Sequence, residues 1–238
     1  MDTQMRIAIC ISCVLIVMAG CASTKKDEFV PGDRYAIAGF SVSRDISPSG
    51  KRARRHENKA MNQSRMLVDR ALDTGPVADV LAAEFLGGFD QGVTGVRILS
   101  GRAVTSAAAY RRALSKVSVT PGFEPVKGYV DLSIVDTGHM KALADELAVD
   151  GVMMIYCDLH YAVEENEPDR LQPHMGVRVV VYDRSGRLAM DAVYEYRSAR
   201  SVSVSSHGSH LLELRRTLSG YDARLAGMQV ARSIWRKP

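Results

Sequence analysis

The chain has 238 residues, of which 46% are hydrophobic and 24% are charged, and its formal net charge is +4. This composition is typical of a globular protein, and the sequence contains neither an internal repeat nor a low-complexity segment, which argues against a repeat-built or fibrous protein. The small net charge gives no general attraction to nucleic acid, so we do not expect nucleic acid as a partner. The length allows one sizeable α/β domain or two small ones.

The first twenty residues have the pattern of an export signal. Arg6 lies in a short leading segment, and an uncharged run of twelve residues, 7–18, follows it and ends at Ala19-Gly20-Cys21. A basic start, an apolar stretch and small residues before a cleavage point are typical of secretory signals. Twelve helical residues span about 18 Å, less than the roughly 30 Å hydrocarbon core, so we favour a removed signal over a permanent transmembrane helix.

The end of this run, Met18-Ala19-Gly20-Cys21, resembles the lipobox of bacterial lipoproteins, with Met18 in place of the usual Leu. The resemblance implies cleavage between Gly20 and Cys21, diacylglycerol on the Cys21 thiol, and acylation of the new N-terminus. Several acyl chains together anchor a protein stably at a membrane. Ala22 follows the cysteine, which resembles the default pattern for sorting to the outer membrane.

We therefore expect residues 1–20 to be a signal peptide, residues 21–34 a lipidated tether and residues 35–238 a periplasmic α/β domain. The tether contains Pro31-Gly32 and is polar, as linkers are. The pair Cys10 and Cys13 has the spacing of a redox or metal motif, but it lies inside the predicted signal. If Cys21 is acylated, Cys157 has no disulfide partner, and its apolar surroundings predict a small buried residue.

The first half of the domain alternates strands and helices. Small and apolar residues predict a strand over 35–43, and a polar loop follows over 44–70. Val77, Leu81, Phe85 and Phe89 recur every four residues and predict a helix from Pro76 that ends at Gly87-Gly88. Next we expect a short strand over 96–99, a helix over 102–116, and a loop over 117–129.

The second half contains the clearest strands. We expect a helix over 137–148, a buried strand over 152–156 and an acidic loop over 164–173. The valines 177, 179 and 181 and a turn at 183–186 predict an antiparallel hairpin. Its second strand buries one set of side chains and exposes the other, with Leu188, Met190, Ala192, Tyr194 and Tyr196 inside and Arg187, Asp191, Glu195 and Arg197 outside.

An apolar row predicts a C-terminal helix over 211–235, weakened by Gly220 and Gly227; the row consists of Leu211, Leu214, Leu218, Tyr221, Leu225, Met228 and Trp235. The element order favours a single α/β sandwich of two or three layers. We expect a mixed sheet with a C-terminal antiparallel hairpin and with helices packed on it.

This order and three segments resemble the periplasmic domain shared by the TolB amino-terminal domain, the curli-secretion lipoprotein CsgG and the penicillin-binding-protein activator LpoB. The segments are Ala36–Phe40; Val77–Leu86 with the strand 96–99; and Ala142–Val152, which runs into Val177–Tyr182, Asp183 and Gly186. Gly39 stands where that group usually has Pro. The resemblance implies the fold and an accessory role in the envelope, with no catalytic residues to transfer.

Motifs for known chemistry are missing from the sequence: there is no nucleophile elbow, Walker loop, dinucleotide fingerprint or zinc helix. His207 and His210 could hold a metal with His174 or with the acidic residues Glu164, Glu165 and Glu167, although serine-rich loops commonly carry solvated histidines. We therefore predict no cofactor and no metal.

Asp131, Asp136 and His139 could form an acid–base set, because a carboxylate can orient an imidazole. Asp136 stands where a helix begins, however, so a structural helix cap is the favoured interpretation. We therefore predict no enzymatic activity.

A dense basic run comprises Lys51, Arg52, Arg54 and Arg55. In an exported protein its anionic partners would be lipid head groups or cell-wall polymers, whereas the simpler interpretation is a solvated loop.

Two function hypotheses remain. The first is a non-catalytic, membrane-anchored envelope lipoprotein that binds a partner protein and aids envelope assembly or maintenance. The second is a metal- or ligand-binding periplasmic enzyme with a site near Asp136, His139 and His207.

Overall fold

The computed structural model describes residues 32–49, 75–113, 120–132, 135–167, 169–204 and 210–235. The predicted signal peptide, Cys21 and the basic run fall outside these residues. The elements in chain order are β1 (Arg34–Pro48), α1 (Gly75–Gly92), β2 (Arg97–Leu99), α2 (Arg102–Thr105), α3 (Ala108–Ala113), β3 (Phe123–Pro125), α4 (Thr137–Leu147), β4 (Gly151–Val163), β5 (Arg170–Asp183), β6 (Leu188–Arg197), β7 (Val202–Ser203), α5 (His210–Ser219) and α6 (Tyr221–Trp235).

The seven strands of the described residues belong to one mixed sheet with the order β2-β1-β4-β5-β6, in which β3 adds to β1 and β7 adds to β5. Strand β1 runs parallel to β2 and β4, whereas β5 runs antiparallel to both β4 and β6. The predicted mixed sheet with an antiparallel hairpin at its C-terminal side is therefore confirmed.

Strand β4 lies at the centre of this sheet. Residues 152–157 are buried on both faces, as expected for a strand covered by helices on both sides. The strand continues to Val163, beyond the predicted end. In this second half Leu159 and Tyr161 are buried while Asp158 and His160 are partly exposed, which shows that only one face remains covered.

The helices form a layer on each face, so the fold has three layers. On one face α1, α5 and α6 pack on side chains such as Phe40, Ile155 and Val179. On the other face α2, α3 and α4 pack on Ala36, Val152 and Met154. None of the helices in the described part of the chain is long and apolar enough to cross a membrane.

Glycines bring α1 and α6 into close contact. A Cβ atom added to Gly88 would overlap the carbonyl oxygen of Arg224, and one added to Gly227 would overlap that of Phe85. Gly92 faces α6 in the same way, one turn after Gly88. The predicted helix end at Gly87-Gly88 is therefore wrong, because α1 continues to Gly92 and uses these glycines for packing.

The predicted helix over 102–116 is also wrong, because two short helices, α2 and α3, replace it. The cause is a carboxylate from another element. Glu146 of α4 accepts hydrogen bonds from the backbone N–H groups of Ala108 (2.6 Å) and Ala109 (2.7 Å). These bonds satisfy donors that a new helix start leaves free, and they hold the pKa of Glu146 below its usual range.

Two strands extend into segments predicted as loops. Strand β1 continues to Pro48, past an irregularity between Val42 and Ile46 that leaves Arg44 and Asp45 exposed. Strand β5 begins at Arg170, inside the predicted acidic loop. Likewise β3 lies inside the predicted loop 117–129, where it pairs with β1. These segments are strands because their backbones pair with strands that are distant in the sequence. The pattern of side chains along the sequence does not reveal such pairing.

The C-terminal helix is divided at Gly220 into α5 and α6. The break shifts the helical phase, so the predicted apolar row holds in α5 and fails in α6. Leu214 and Leu218 are fully buried, whereas Tyr221 is 65% exposed. The buried face of α6 consists mainly of small residues: Ala223, Ala226, Gly227, Val230, Ala231 and Ile234.

We predict that Gly88→Ala lowers the free energy of unfolding by about 2 kcal/mol or more, because its methyl group would overlap the backbone of α6. Gly87→Ala is the matched control: an added Cβ meets nothing within 4 Å, and the helix propensity of Ala stabilises by about 0.5–1 kcal/mol. Urea denaturation of both variants is the measurement. Equal stability of the two variants would contradict the packing that we describe.

Candidate functional site

Within the described residues, the helices α2, α3 and α4 cover only one end of their face of the sheet. Cross-strand pairs continue along the uncovered part, including Tyr156 opposite Arg178, Asp158 opposite Gly176, and Gly176 opposite Glu195. We call this region the open face, and it consists of Tyr156, Asp158, His160, His174, Gly176, Arg178, Asp191, Val193, Glu195 and Arg197.

Two hollows lie along the open face. The first has a volume of about 590 Å³ and includes Phe123, Tyr156 and Tyr182 in its wall. The second has a volume of about 730 Å³, and the acidic turn residues Glu164, Glu165 and Glu167 line it. Both hollows include His160 and Glu195, so they join into one groove along the strands.

An ion pair spans β5 and β6 in the first hollow. The Arg178 guanidinium donates from Nε (2.8 Å) and Nη2 (2.6 Å) to the two carboxylate oxygens of Asp191. These charge-assisted hydrogen bonds lower the pKa of Asp191 and raise the pKa of Arg178. The pair holds the two strands in register on the surface and neutralises both charges.

Gly176 provides a floor without a side chain where the two hollows join. A Cβ atom at this position would lie 3.0 Å from Nε2 of His160 and 3.4 Å from Oε1 of Glu195. Both functional groups therefore converge above the same backbone position. A glycine inside a strand commonly marks such a close approach.

The other ring nitrogen of His160 faces Ser47 and Asp158. Ser47 Oγ lies 3.4 Å from Nδ1, and Asp158 Oδ2 lies 3.7 Å from the same nitrogen. In a nucleophilic relay the serine and the carboxylate occupy opposite nitrogens of the imidazole, so that one orients the ring while the other gives up its proton. The arrangement around His160 differs from such a relay and is suited to hydrogen bonding.

His174 is buried beside these groups, with 8% of its surface exposed. Its Nε2 lies 3.3 Å from Oε1 of Gln172. Burial, with smaller contributions from Arg197 and His160, lowers the pKa of His174 to about 4. The imidazole is therefore neutral at neutral pH.

The structure separates the histidines proposed as metal ligands. His174 shares the second hollow with Glu164, Glu165 and Glu167, as the sequence hypothesis allowed. His210 instead begins α5, whose helix packs on the opposite face of the sheet. His207 lies outside the described residues. Within the described ranges, no group of three or more His, Cys, Asp or Glu side chains is placed to hold a metal ion.

Two residues of the candidate acid–base set that the sequence analysis rejected make structural contacts. Asp136 is the N-cap of α4: its carboxylate accepts from the backbone N–H of His139 at 3.0 Å and lies 2.8 Å from Nδ1 of the same residue. The favoured interpretation of Asp136 as a helix cap is therefore confirmed. Asp131 is buried and accepts hydrogen bonds from Thr120 and from the Tyr156 hydroxyl.

The sequence reasoning missed most of the open face. It placed Asp191, Glu195 and Arg197 together on one side of β6, which the structure confirms. It placed Leu188 on the buried side, which is wrong, because a register shift at Ala189 puts Leu188 opposite Tyr182 in the first hollow. The missed signals are the polar residues Asp158, His160 and Arg178 that alternate with buried residues in β4 and β5.

The buried Cys157 has no disulfide partner within the described residues. Burial raises the pKa of its thiol. The expectation of a small buried residue at this position is confirmed.

No family model and no curated protein matches the chain. A candidate lipoprotein of known structure from Caulobacter crescentus CB15 aligns with 43% of this chain and 86% of its own, at 14% identity and a TM-score of 0.28. A hypothetical protein from Chlamydia trachomatis aligns with 86% of this chain and 96% of its own, at 13% identity and a TM-score of 0.37. At these low TM-scores, the two structures add nothing to the assignment of fold or function.

We predict that His174 makes the protein less stable as the pH falls from 7 to 5. In the unfolded chain this histidine binds a proton near pH 6.5, whereas folded His174 stays neutral until about pH 4. The stability that neutral His174 contributes is therefore complete above pH 6.5 and is lost as the pH falls from 6.5 towards 4. The loss amounts to about 2 kcal/mol at pH 5. Urea denaturation should show this loss in the wild type and a smaller one in His174→Gln; identical losses would contradict the assignment.

Proposed function

We propose that this chain is a cell-envelope lipoprotein, anchored by acyl chains on Cys21, whose folded domain binds a partner protein and catalyses no reaction. The observation that carries the proposal is the uncharged run that ends in Met18-Ala19-Gly20-Cys21. A basic start followed by an apolar run of this length is typical of an exported chain, and the cysteine at its end resembles the residue that bacterial lipoproteins acylate. Ala22 after the cysteine favours the periplasmic face of the outer membrane.

The entry of the chain into the domain supports a tethered arrangement. Asp150 accepts hydrogen bonds from the backbone N–H groups of Asp33 (2.8 Å) and Arg34 (2.9 Å), which fixes the point where β1 begins. Twelve residues lie between Cys21 and Arg34, and a chain of that length reaches at most about 45 Å from one to the other. The domain can therefore lie well away from a membrane surface.

The position of the open face suits a partner beyond the membrane. Strand β1 is parallel to β4, and Tyr35 pairs with Gly151 at the beginning of both strands. The acidic turn that follows Val163 lies at the other end of β4, about 40 Å away at 3.3 Å per residue. The acidic end of the groove therefore points away from the tether.

The chemistry of the open face supports binding over catalysis. Arg178 and Asp191 neutralise each other. The Ser47 hydroxyl and the Asp158 carboxylate both approach the same nitrogen of His160, which is not the arrangement of a nucleophilic relay. As far as the described residues form it, the groove is open along its length, as protein-binding surfaces are, whereas small-molecule sites bury most of their ligand. These features fit an extended partner that contacts several strands at once.

We predict that Cys21→Ser abolishes metabolic palmitate labelling and moves the protein from the membrane fraction to the soluble fraction, because no acyl chain remains. Cys157→Ala is the matched control, since it removes the buried thiol and leaves the lipobox intact. Fractionation with palmitate labelling of both variants is the measurement. A blank label on the wild type, or an unchanged fraction for Cys21→Ser, would overturn the lipoprotein assignment.

Crosslinking in cells followed by mass spectrometry tests the partner-binding role. We expect a specific envelope protein crosslinked to peptides of β4, β5 or β6. Recovery of the protein without any crosslinked partner, under conditions where a known envelope complex is captured, would contradict the proposed role.

A further inference from the structure

The groove on the open face is long enough for an extended peptide. Its two hollows share His160 and Glu195, and along β4 they extend from Met154 to Ala162. This distance is about 26 Å at 3.3 Å per residue, the length of about eight residues of extended chain.

The groove carries an excess of negative charge. Six carboxylates line it, and two guanidinium groups oppose them: Asp158, Asp191, Glu164, Glu165, Glu167 and Glu195 against Arg178 and Arg197. Arg178 is already paired with Asp191 at 2.6 Å, and the neighbouring Arg170 pairs with Glu167 at 3.2 Å. The charge that remains is therefore concentrated around Glu195, Asp158 and the acidic turn, where a positively charged ligand is complementary.

Apolar and aromatic side chains lie beside these carboxylates. Val193 is 44% exposed and Leu188 is 40% exposed, and both border the first hollow together with Tyr156 and Tyr182. Lysine and arginine side chains combine an apolar stem with a charged end, so they can cover such surfaces while the charge reaches a carboxylate. Aromatic rings also attract cations.

We infer that the groove on the open face binds an extended segment of a partner protein that is rich in lysine or arginine. This inference rests on the proposed partner-binding role and names the chemistry of the partner. Alternate side chains of the bound segment point to the floor, where Glu195 and Asp158 accept their charges beside the buried Gly176. An anionic lipid surface or a nucleic acid does not fit, since the carboxylates would repel it.

The test measures fluorescence anisotropy of a labelled eight-residue peptide, in which lysine alternates with alanine, on the full chain purified in neutral detergent. We expect binding that weakens when salt rises from about 0.05 to about 0.3 M, and no binding of the matching glutamate–alanine peptide. The variant Asp158→Asn/Glu195→Gln should raise Kd roughly tenfold, because it removes two charges and keeps side-chain size.

The matched control is Asp90→Asn/Glu213→Gln, which removes two exposed carboxylates from α1 and α5 on the opposite face of the sheet. Its Kd should stay within about twofold of the wild type. Equal loss of binding in both double variants, or equal binding of the lysine and glutamate peptides, would overturn the inference.

The inference would also be overturned if the groove were occupied by another part of this chain or by a second copy of it. If alanine at Lys51, Arg52, Arg54 and Arg55 tightens peptide binding roughly tenfold, the chain's own basic run competes for the groove. If sedimentation shows a dimer that Asp158→Asn/Glu195→Gln dissociates, a second copy occupies the open face. If the peptide does not bind, the inference about the groove fails, but the proposed lipid anchor and crosslinked partner are unaffected. If the wild type takes no palmitate label, the proposed function fails, but the peptide-binding result is unaffected.

Discussion

The close contact between α1 and α6 is the constraint on which the rest of the structure depends. Glycines at the contact let the two backbones meet, and this places Phe85 and Phe89 of α1 against the sheet and against α6. A line of aromatic rings results. The ring centroids of Phe85 and Phe40 of β1 lie 5.5 Å apart, and those of Phe89 and Trp235 of α6 lie 5.4 Å apart. The two helices thereby cover one face of the sheet as a single layer, while in the part of the chain that the structure describes the other face receives only α2, α3 and α4 and stays partly open.

The mixture of polar and buried residues on the open face follows from the incomplete helical cover of that side of the sheet. Where helices end, the strands switch from burial on both sides to an alternation of buried and polar residues. Tyr196 near the end of β6, and Ser198 and Arg200 just after it, donate hydrogen bonds to the buried carboxylate of Asp222 in α6. The end of β6 is thus tied to the opposite layer, which keeps the exposed side chains of this strand in fixed positions over the groove.

Local patterns in the sequence predicted the elements whose causes are local. Helix α4, the buried part of β4 and the β5–β6 hairpin were expected from periodicity, capping and turn residues, and all three are present. The division between α2 and α3 was not expected, because its cause is the carboxylate of Glu146, 37 residues further along the chain from Ala109. The open face was missed for a similar reason: periodicity shows that Asp158, His160 and Arg178 alternate with buried residues, but not that helices leave this region uncovered.

The pairing of β1 with β4 has a consequence for how the chain folds. Ala36 lies beside Val152, so the first strand of the domain meets its central partner only after more than a hundred intervening residues have been placed. Contacts of such high sequence separation form slowly, because the chain loses the entropy of closing a long loop before the contact can stabilise it. If the chain is exported as we propose, this delay helps it to pass a translocation pore unfolded, because its leading strand cannot complete the sheet until most of the chain has emerged.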